Sequence, residues 1–259
     1  RQGDERAVGA ATGARVAVTA HGSELEYTMR GRPELAAGGR EALARAEDGS
    51  GTLLLLSGDA GVGKTRLADE AAQGSSALVL RGAAINSVTP PYGPIVAALR
   101  SYLRAEPEGL ADCGPLRSHL ALLLPELGEP AAESDRSTIF EAIRCAFAHL
   151  TAAAPALVIL DDLQWSDQAS LELLAALASP LRQMPIVTIA AYRSDGLPRD
   201  HMLRWRRNEL RRAGNLEELA LEPLDREQTA SLLGELLDAQ PSESLLGTIH
   251  DRTQGSPFF

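Results

Sequence analysis

The chain has 259 residues, of which 44% are hydrophobic, enough to bury the core of one large domain or two small ones. Its longest apolar runs, 152–160 and 186–192, are far shorter than a membrane-spanning helix, and no secretory leader is visible, so neither a membrane partner nor secretion is expected. The net charge of −10 argues against a broad nucleic-acid-binding surface, and two cysteines without C-x-x-C spacing favour a reducing cytoplasm.

The start of the chain carries weak structural signals. Residues 1–28 are rich in glycine and alanine, and we expect an N-terminal extension there with at most a short strand at residues 15–20. A helix is predicted to begin at Pro33, because proline suits the first helical position. Gly38 and Gly39 are expected to interrupt this helix, since each glycine costs about 1 kcal/mol relative to alanine in a helix interior.

The next feature is a buried strand at 53–56 that leads into the run Gly58-Asp-Ala-Gly-Val-Gly-Lys-Thr65, which fits the pattern G-x-x-x-x-G-K-[ST]. The glycines allow left-handed turns, so that backbone N–H groups converge on phosphate oxygens, and the following helix adds its positive end. Lys64 is expected to bridge the β- and γ-phosphates of a nucleotide and the Thr65 hydroxyl to bind Mg²⁺. The predicted nucleotide contacts come from the whole loop: Gly58, Asp59, Ala60, Gly61, Val62, Gly63, Lys64, Thr65 and Arg66.

Lys64 is also the only lysine in the chain, and the other basic residues among the 25 are all arginine. An ammonium group is a compact point charge, whereas a guanidinium is a planar fork. A single lysine at this position of an arginine-rich chain favours a nucleotide-binding loop over a structural glycine-rich turn.

From residue 52 onward, short apolar runs alternate with stretches of helical periodicity, which is typical of a parallel sheet covered by helices. Three apolar stripes at helical spacing are interpreted as core-facing surfaces rather than as sites. The predicted fold class is α/β, a P-loop nucleotide-binding fold. The predicted strands are 53–56, 77–80, 156–160, 186–191 and 216–221, and the stripes are Ile95/Leu99/Leu103, Ile139/Phe140/Ile143/Phe147/Leu150 and Leu171/Leu174/Leu177/Leu181.

Two acids, Asp161 and Asp162, end the predicted strand at 156–160. A nucleotide site with Mg²⁺ needs an acid at the tip of a neighbouring strand, and Asp161 fits that position. A second acid beside it can orient or deprotonate the attacking water, so Asp162 is the candidate general base. The alternative is a polar turn that caps the next helix, at Asp167.

Two arginine features follow. The apolar stretch 185–193 is read as a strand that ends in Arg193, where a guanidinium can reach a γ-phosphate and report its presence. The run 204–212 holds five arginines and is interpreted as a solvated helix face, with Leu203, Trp205 and Leu210 among its apolar anchors. Nucleic-acid binding, or an arginine supplied to a neighbouring subunit, are the alternatives for this run.

No further strand is predicted after Pro223, and residues 225–237 and 242–249 are predicted as two short helices. The predicted organisation is therefore an extension at 1–28, a nucleotide-binding domain at 29–222 and a small helical lid at 223–259.

The string Leu160-Asp-Asp-Leu-Gln-Trp-Ser-Asp167 resembles the signature of the STAND-type signalling ATPases, and the nearest branch is the large ATP-binding regulators of the LuxR type. The segment Met29-Arg-Gly-Arg32 is similar to a motif that lies against the base and sugar in this family, which implies contacts from Gly31 and Arg32. Gly255-Ser-Pro257 is similar to the family's G-x-P element and implies that Pro257 touches the adenine. Tyr92-Gly-Pro-Ile also resembles the stretch after the second strand, and Arg193 falls at the sensor position.

The resemblance covers residues 29–259 and implies a regulatory ATPase of a bacterial transcription activator, in which ATP and ADP states set the conformation. Its partners would be nucleotide with Mg²⁺, other copies, or other domains of a parent regulator, without direct DNA binding by this chain. Arg30 departs from the motif's usual apolar residue. The family's winged-helix part and DNA-binding helices are not seen in this sequence, so complete switching is not expected from this chain alone.

Three alternatives remain open at this point. A P-loop kinase would move the γ-phosphate to a small acceptor, although the tandem acids and the terminal G-x-P favour water. A non-hydrolysing scaffold would hold ADP tightly, and the sequence does not separate it from a slow ATPase. A ring-forming mechanical ATPase would need an arginine acting on a neighbouring subunit.

Overall fold

The computed structural model describes residues 33–73, 75–86 and 90–258, and the strand predicted at 15–20 lies outside them. Two short 3₁₀ turns, Pro125–Leu127 and Leu163–Trp165, accompany the regular elements. These elements are α1 (Pro33–Glu47), β1 (Thr52–Gly58), α2 (Lys64–Ala72), β2 (Leu78–Ala83), α3 (Gly93–Ala105), α4 (Arg117–Leu120), α5 (Arg136–Leu150), β3 (Ala156–Asp161), α6 (Gln168–Leu181), β4 (Ile186–Arg193), α7 (Met202–Arg212), β5 (Glu217–Leu221), α8 (Arg226–Leu237) and α9 (Glu243–Thr253).

All five predicted strands join one sheet, in the order β2-β3-β4-β1-β5. Every pairing in it is parallel, as the alternation of strands and helices predicts. Strand β4 separates β1 from β3. The loop at residues 58–65, named the phosphate loop for its predicted ligand, and the acids Asp161 and Asp162 therefore lie at the ends of strands that are not direct neighbours. Because carboxyl ends of parallel strands meet at one edge, the loop after β1, the acids after β3 and the arginine ending β4 share that edge.

The central strands β1, β3 and β4 are buried on both faces of the sheet, which explains why they are continuously apolar rather than alternating. In β1, Leu53 and Leu55 belong to one apolar cluster and Leu54 and Leu56 to the other. Helices α3, α5, α6 and α7 contribute to the first cluster, and α1 and α2 to the second. The three predicted stripes lie in the first cluster, with Phe140 only partly buried at its margin.

The prediction that Gly38 and Gly39 interrupt the first helix is wrong, because α1 continues through both residues from Pro33 to Glu47. The two glycines differ in their surroundings. A Cβ on Gly39 would lie 3.1 Å from the Cβ of Ala71 in α2, whereas a Cβ on Gly38 would meet nothing within 4 Å. Gly39 therefore permits a close approach of α1 to α2, and this packing offsets its poor helix propensity.

The basic run forms α7, as predicted, and Leu203 and Leu210 are buried. Trp205 is not an anchor, however, since it is 57% exposed and the Arg206 guanidinium lies 4.4 Å from its ring centre. The arginines of this helix are also not simply solvated. Their ion pairs and hydrogen bonds link Arg206 to Glu172 and Glu209, Arg207 and Arg211 to Glu218, and Arg204 to the carbonyls of Leu197 and Pro198.

After β5 the described chain forms α8 and α9, and their N-terminal caps are Asp225 and Ser242. Both helices match those predicted at 225–237 and 242–249, while the lid and its boundary at 222/223 stay predictions. None of the helices in the described ranges is long and apolar enough to cross a membrane.

Candidate functional site

The phosphate loop leaves β1 in a conformation that only glycine adopts readily. Gly61 and Gly63 have positive φ angles of 77° and 100°. A Cβ on Gly58 would lie 2.6 Å from the carbonyl oxygen of Leu221 in the neighbouring strand. Val62 is buried in the core, so its side chain packs beneath the loop.

Lys64 is the first residue of α2, and its side chain is buried with 8% of the residue exposed. Its Nζ donates hydrogen bonds of 2.8 Å to the carbonyl oxygens of Gly58 and Asp59, at the start of the loop. Burial lowers the pKa of this ammonium group, and the nearby Arg193 guanidinium lowers it further. An ammonium group has three N–H donors, so a further donor remains for a phosphate oxygen.

Thr65 and Asp161 connect the loop to the tandem acids. The Thr65 hydroxyl donates a 2.6 Å hydrogen bond to Oδ2 of Asp161, across the width of β4. Neighbouring strands are about 4.8 Å apart, so β1 and β3 are separated by roughly 10 Å. The side chains of Thr65 and Asp161 therefore make a contact across a distance that backbone hydrogen bonds do not span. The other carboxylate oxygen of Asp161 accepts a 2.8 Å bond from the N–H of Asp162.

These two residues fit a Mg²⁺ ion, because a hydroxyl and a carboxylate are the hard oxygen donors that Mg²⁺ prefers. The two oxygens also meet beside the loop that is predicted to hold the phosphates. A Mg²⁺ ion that neutralises phosphate charge is needed at that place.

Asp162 has a left-handed backbone, with φ 55° and ψ 38°, which aspartate tolerates better than most residues. Its Oδ1 accepts a 2.7 Å hydrogen bond from Nε2 of Gln164 and lies 3.5 Å from Nε of Arg193. The structure therefore brings the candidate base and the candidate sensor arginine into contact. The side chains of Asp162 and Arg193 remain 38% and 45% exposed, as groups that must meet water and phosphate would need to be.

Gln164 is a site residue that sequence reasoning missed. It is buried, and besides its bond to Asp162 its Oε1 accepts a 2.9 Å hydrogen bond from the backbone N–H of Arg193. The available signal was a polar residue between the apolar Leu163 and Trp165. That signal alone does not distinguish a buried amide from an exposed one.

A second missed contact joins the loop to the end of β4. The Ser194 hydroxyl donates a 2.9 Å hydrogen bond to Oδ1 of Asp59, and the Ser194 N–H donates to the carbonyl of Gly58 at 3.2 Å. Asp59 is therefore engaged in holding the loop. Arg66, another predicted nucleotide contact, pairs with Glu70 at 2.9 Å within α2.

The predicted base-contacting residues are placed only in part. Gly31 and Arg32 lie outside the described residues. Pro257 is half-buried and follows a point where the N–H of Leu224 donates a 2.7 Å hydrogen bond to the carbonyl of Gly255. Leu224 comes shortly after Leu221, the register partner of Gly58, so this segment lies at the same edge of the sheet as the loop.

A parallel sheet of this order, with a glycine loop before α2 and a hydroxyl–carboxylate pair spanning β4, defines a P-loop ATPase module. A family model described as AAA ATPase domain matches residues 31–189, which is more than half of the chain. The chain belongs to the AAA ATPase domain family.

Solved structures of low sequence identity are similar to this chain to different degrees, and the similarity to the first of the following three supports a shared fold. The Walker-type ATPase of Pyrococcus abyssi is 18% identical with a TM-score of 0.54, over 87% of this chain and 64% of that chain. The STAND protein with a tetratricopeptide repeat sensor from Pyrococcus horikoshii is 18% identical with a TM-score of 0.49, over 84% of this chain and 28% of that chain. The Thermotoga maritima RuvB Holliday junction branch migration motor is 17% identical with a TM-score of 0.48, over 87% and 58%.

The chain thus spans less than two thirds of the length of each of these structures. A comparison with curated protein sequences gives no significant match.

Proposed function

We propose that this chain is a nucleotide-dependent switch module that binds ATP with Mg²⁺ and hydrolyses it slowly. One observation carries the proposal: the 2.6 Å hydrogen bond between Thr65 and Asp161, beside a buried Lys64. It joins a residue in the first turn of α2 to the acid that ends β3, whereas a strand that ends in a polar turn capping the next helix would need no such contact.

In this proposal each side chain has a separate task. Lys64 and the loop N–H groups hold the phosphates, while Thr65 and Asp161 hold Mg²⁺, which when bound neutralises charge developing on the phosphate oxygens. Asp162 accepts a hydrogen bond from the attacking water and orients it. Arg193 contacts the γ-phosphate and thereby senses whether ATP or ADP is bound.

The contacts of Asp162 support slow turnover. Its Oδ1 already accepts a hydrogen bond from Gln164 and lies 3.5 Å from Nε of Arg193, so the protein holds this carboxylate before the attacking water binds. Arg193 must also serve the γ-phosphate, so hydrolysis requires this pair to rearrange. A switch benefits from such a barrier because the ATP state must persist.

The resemblance of residues 160–167 and 255–257 to STAND-type ATPases supports a place in a larger bacterial transcriptional regulator of the LuxR type, in the cytoplasm. Gly31, Arg32 and Pro257 would then contact the base and sugar. Self-association, or contact with other domains of that regulator, would transmit the nucleotide state.

Calorimetry with ATP and ADP, each with and without Mg²⁺, tests the binding part of the proposal. We expect both nucleotides to bind and the Mg²⁺ dependence to be lost in Asp161→Asn. Mass spectrometry of the purified chain is expected to detect ADP or ATP that co-purifies with it. Absence of binding in both experiments would contradict the proposal.

A small-molecule kinase is the second candidate function, since the same phosphate site serves it. It differs in the acceptor of the γ-phosphate, and phosphorylation of any small molecule would favour it. A scaffold that holds ADP without turnover would bind nucleotide equally well but release no phosphate.

A further inference from the structure

Gln164 uses both ends of its side-chain amide in the site. Its Oε1 accepts from the N–H of Arg193 at 2.9 Å, and its Nε2 donates to Oδ1 of Asp162 at 2.7 Å. A backbone N–H can only donate, so the amide oxygen must face Arg193 and the NH₂ group must face Asp162. One buried amide therefore connects the candidate base to the end of the strand that carries the candidate sensor.

The backbone of Gln164 is held as well. Its carbonyl lies 3.2 Å from Nε2 of His201, and Nδ1 of the same ring accepts a 3.1 Å hydrogen bond from the N–H of Leu203 at the start of α7. Because Nδ1 accepts a hydrogen bond, the neutral ring carries its proton on Nε2. This Nε2–H group donates a hydrogen bond to the carbonyl oxygen of Gln164. Neither end of the residue is free to shift independently of β4 and α7.

The orientation of Asp162 depends on these bonds. The contacts from Gln164 and from Arg193 both reach Oδ1. This leaves Oδ2 as the oxygen that can accept a hydrogen bond from water. Gln164 is a neutral donor, so it holds the carboxylate by one hydrogen bond and adds no charge to the site.

We propose that Gln164 is a positioning residue for hydrolysis, which fixes the Asp162 carboxylate and the Arg193 backbone relative to each other. This inference rests on the proposed role of Asp162. A misplacement of about 1 Å can cost roughly 100-fold in rate, so the loss of this amide slows hydrolysis without removing the nucleotide.

The test compares Gln164→Ala and Gln164→Glu with the matched control Gln168→Ala. Gln168 also donates from Nε2 to a carboxylate, Glu172, at 2.8 Å, but on the exposed surface of α6. Single-turnover hydrolysis of MgATP is measured with calorimetric Kd values for ATP and ADP. Hydrogen exchange at the Arg193 amide reports the local structure in the absence of nucleotide.

We expect Gln164→Ala to slow hydrolysis by about 10- to 100-fold, with Kd values unchanged and faster exchange at the Arg193 amide. Gln164→Glu keeps an acceptor for that amide but faces Asp162 with a like charge, so it should slow hydrolysis while the amide stays protected. Gln168→Ala should match wild type. If alanine unfolds the chain, the glutamate variant, which is nearly identical in size, still gives the result.

The single variant Asp162→Asn separates this inference from the proposed function. It should abolish hydrolysis, so it gives the baseline above which the slowed hydrolysis of Gln164→Ala is measured. Wild-type rates in both Gln164 variants, or nucleotide affinity lost in proportion to rate, would overturn the inference. If Asp162→Asn itself hydrolyses at the wild-type rate, or the wild type does not hydrolyse ATP, the proposed function fails and the inference fails with it.

Discussion

Replacing Lys64 by alanine is the most informative single change in the phosphate loop. The ammonium group is buried, holds the carbonyls of Gly58 and Asp59, and has a further donor to offer a phosphate. Lys64→Ala leaves the loop N–H groups in place but removes the cation. Since it is the chain's only lysine, no other lysine can take its place.

The size of the effect follows from burial. Truncating one partner of a buried, hydrogen-bonded charge pair costs about 2–5 kcal/mol, which corresponds to a rise in Kd of about 30- to 5,000-fold. By contrast, Arg100 forms an exposed ion pair with Glu126 away from the loop, and such pairs contribute about 0–1 kcal/mol to stability. Arg100→Ala is therefore a control that removes a cation without touching the site.

Calorimetric titration of ATP in Mg²⁺ buffer measures both variants against wild type. We expect no detectable binding heat for Lys64→Ala at micromolar protein and a wild-type Kd for Arg100→Ala. Unchanged ATP affinity in Lys64→Ala, in a chain that still melts cooperatively, would refute the assignment of the loop.

Asp162→Asn should retain ATP but abolish hydrolysis, whereas Asp161→Asn should weaken Mg²⁺-dependent binding; wild-type hydrolysis by both would show that the roles of the acids are misassigned. Gly38→Ala should stabilise the chain by about 0.5–1 kcal/mol in thermal melts, because the position is an open helix interior. Gly39→Ala should gain nothing or lose stability because its Cβ meets the facing helix, and an equal gain in both variants would contradict this. Specific binding of duplex DNA is not expected at about 0.15 M salt, because arginines of the run 204–212 are paired with glutamates. Submicromolar, sequence-dependent binding in an anisotropy titration would overturn this expectation.

The sheet was predictable because its signals are local. Each strand is a short apolar run, and the alternation with helical stripes leaves a parallel arrangement as the simplest solution. The loop motif and the acids after β3 were also visible, and their meeting at one edge follows from that topology. The pairing of Thr65 with Asp161 across β4 needed the three-dimensional structure, because it depends on the strand order.

The wrong predictions concern residues whose behaviour depends on distant neighbours. Gly39 lies within a continuous helix because Ala71 packs against it, and helix propensity alone does not contain that contact. Trp205 is exposed although it is apolar, since Leu203 and Leu210 already supply the buried contacts of α7. The contacts of Gln164 depend on the position of β4, which lies about thirty residues later in the chain. No local sequence pattern could indicate that position.

The fate of the γ-phosphate tests the central proposal most directly. The chain is incubated in excess over γ-labelled ATP with Mg²⁺, and the labelled products are separated over hours, with Asp162→Asn as the blank. The proposed switch predicts slow appearance of the label as inorganic phosphate from the wild type alone. Label that stays in bound ATP indefinitely would contradict it.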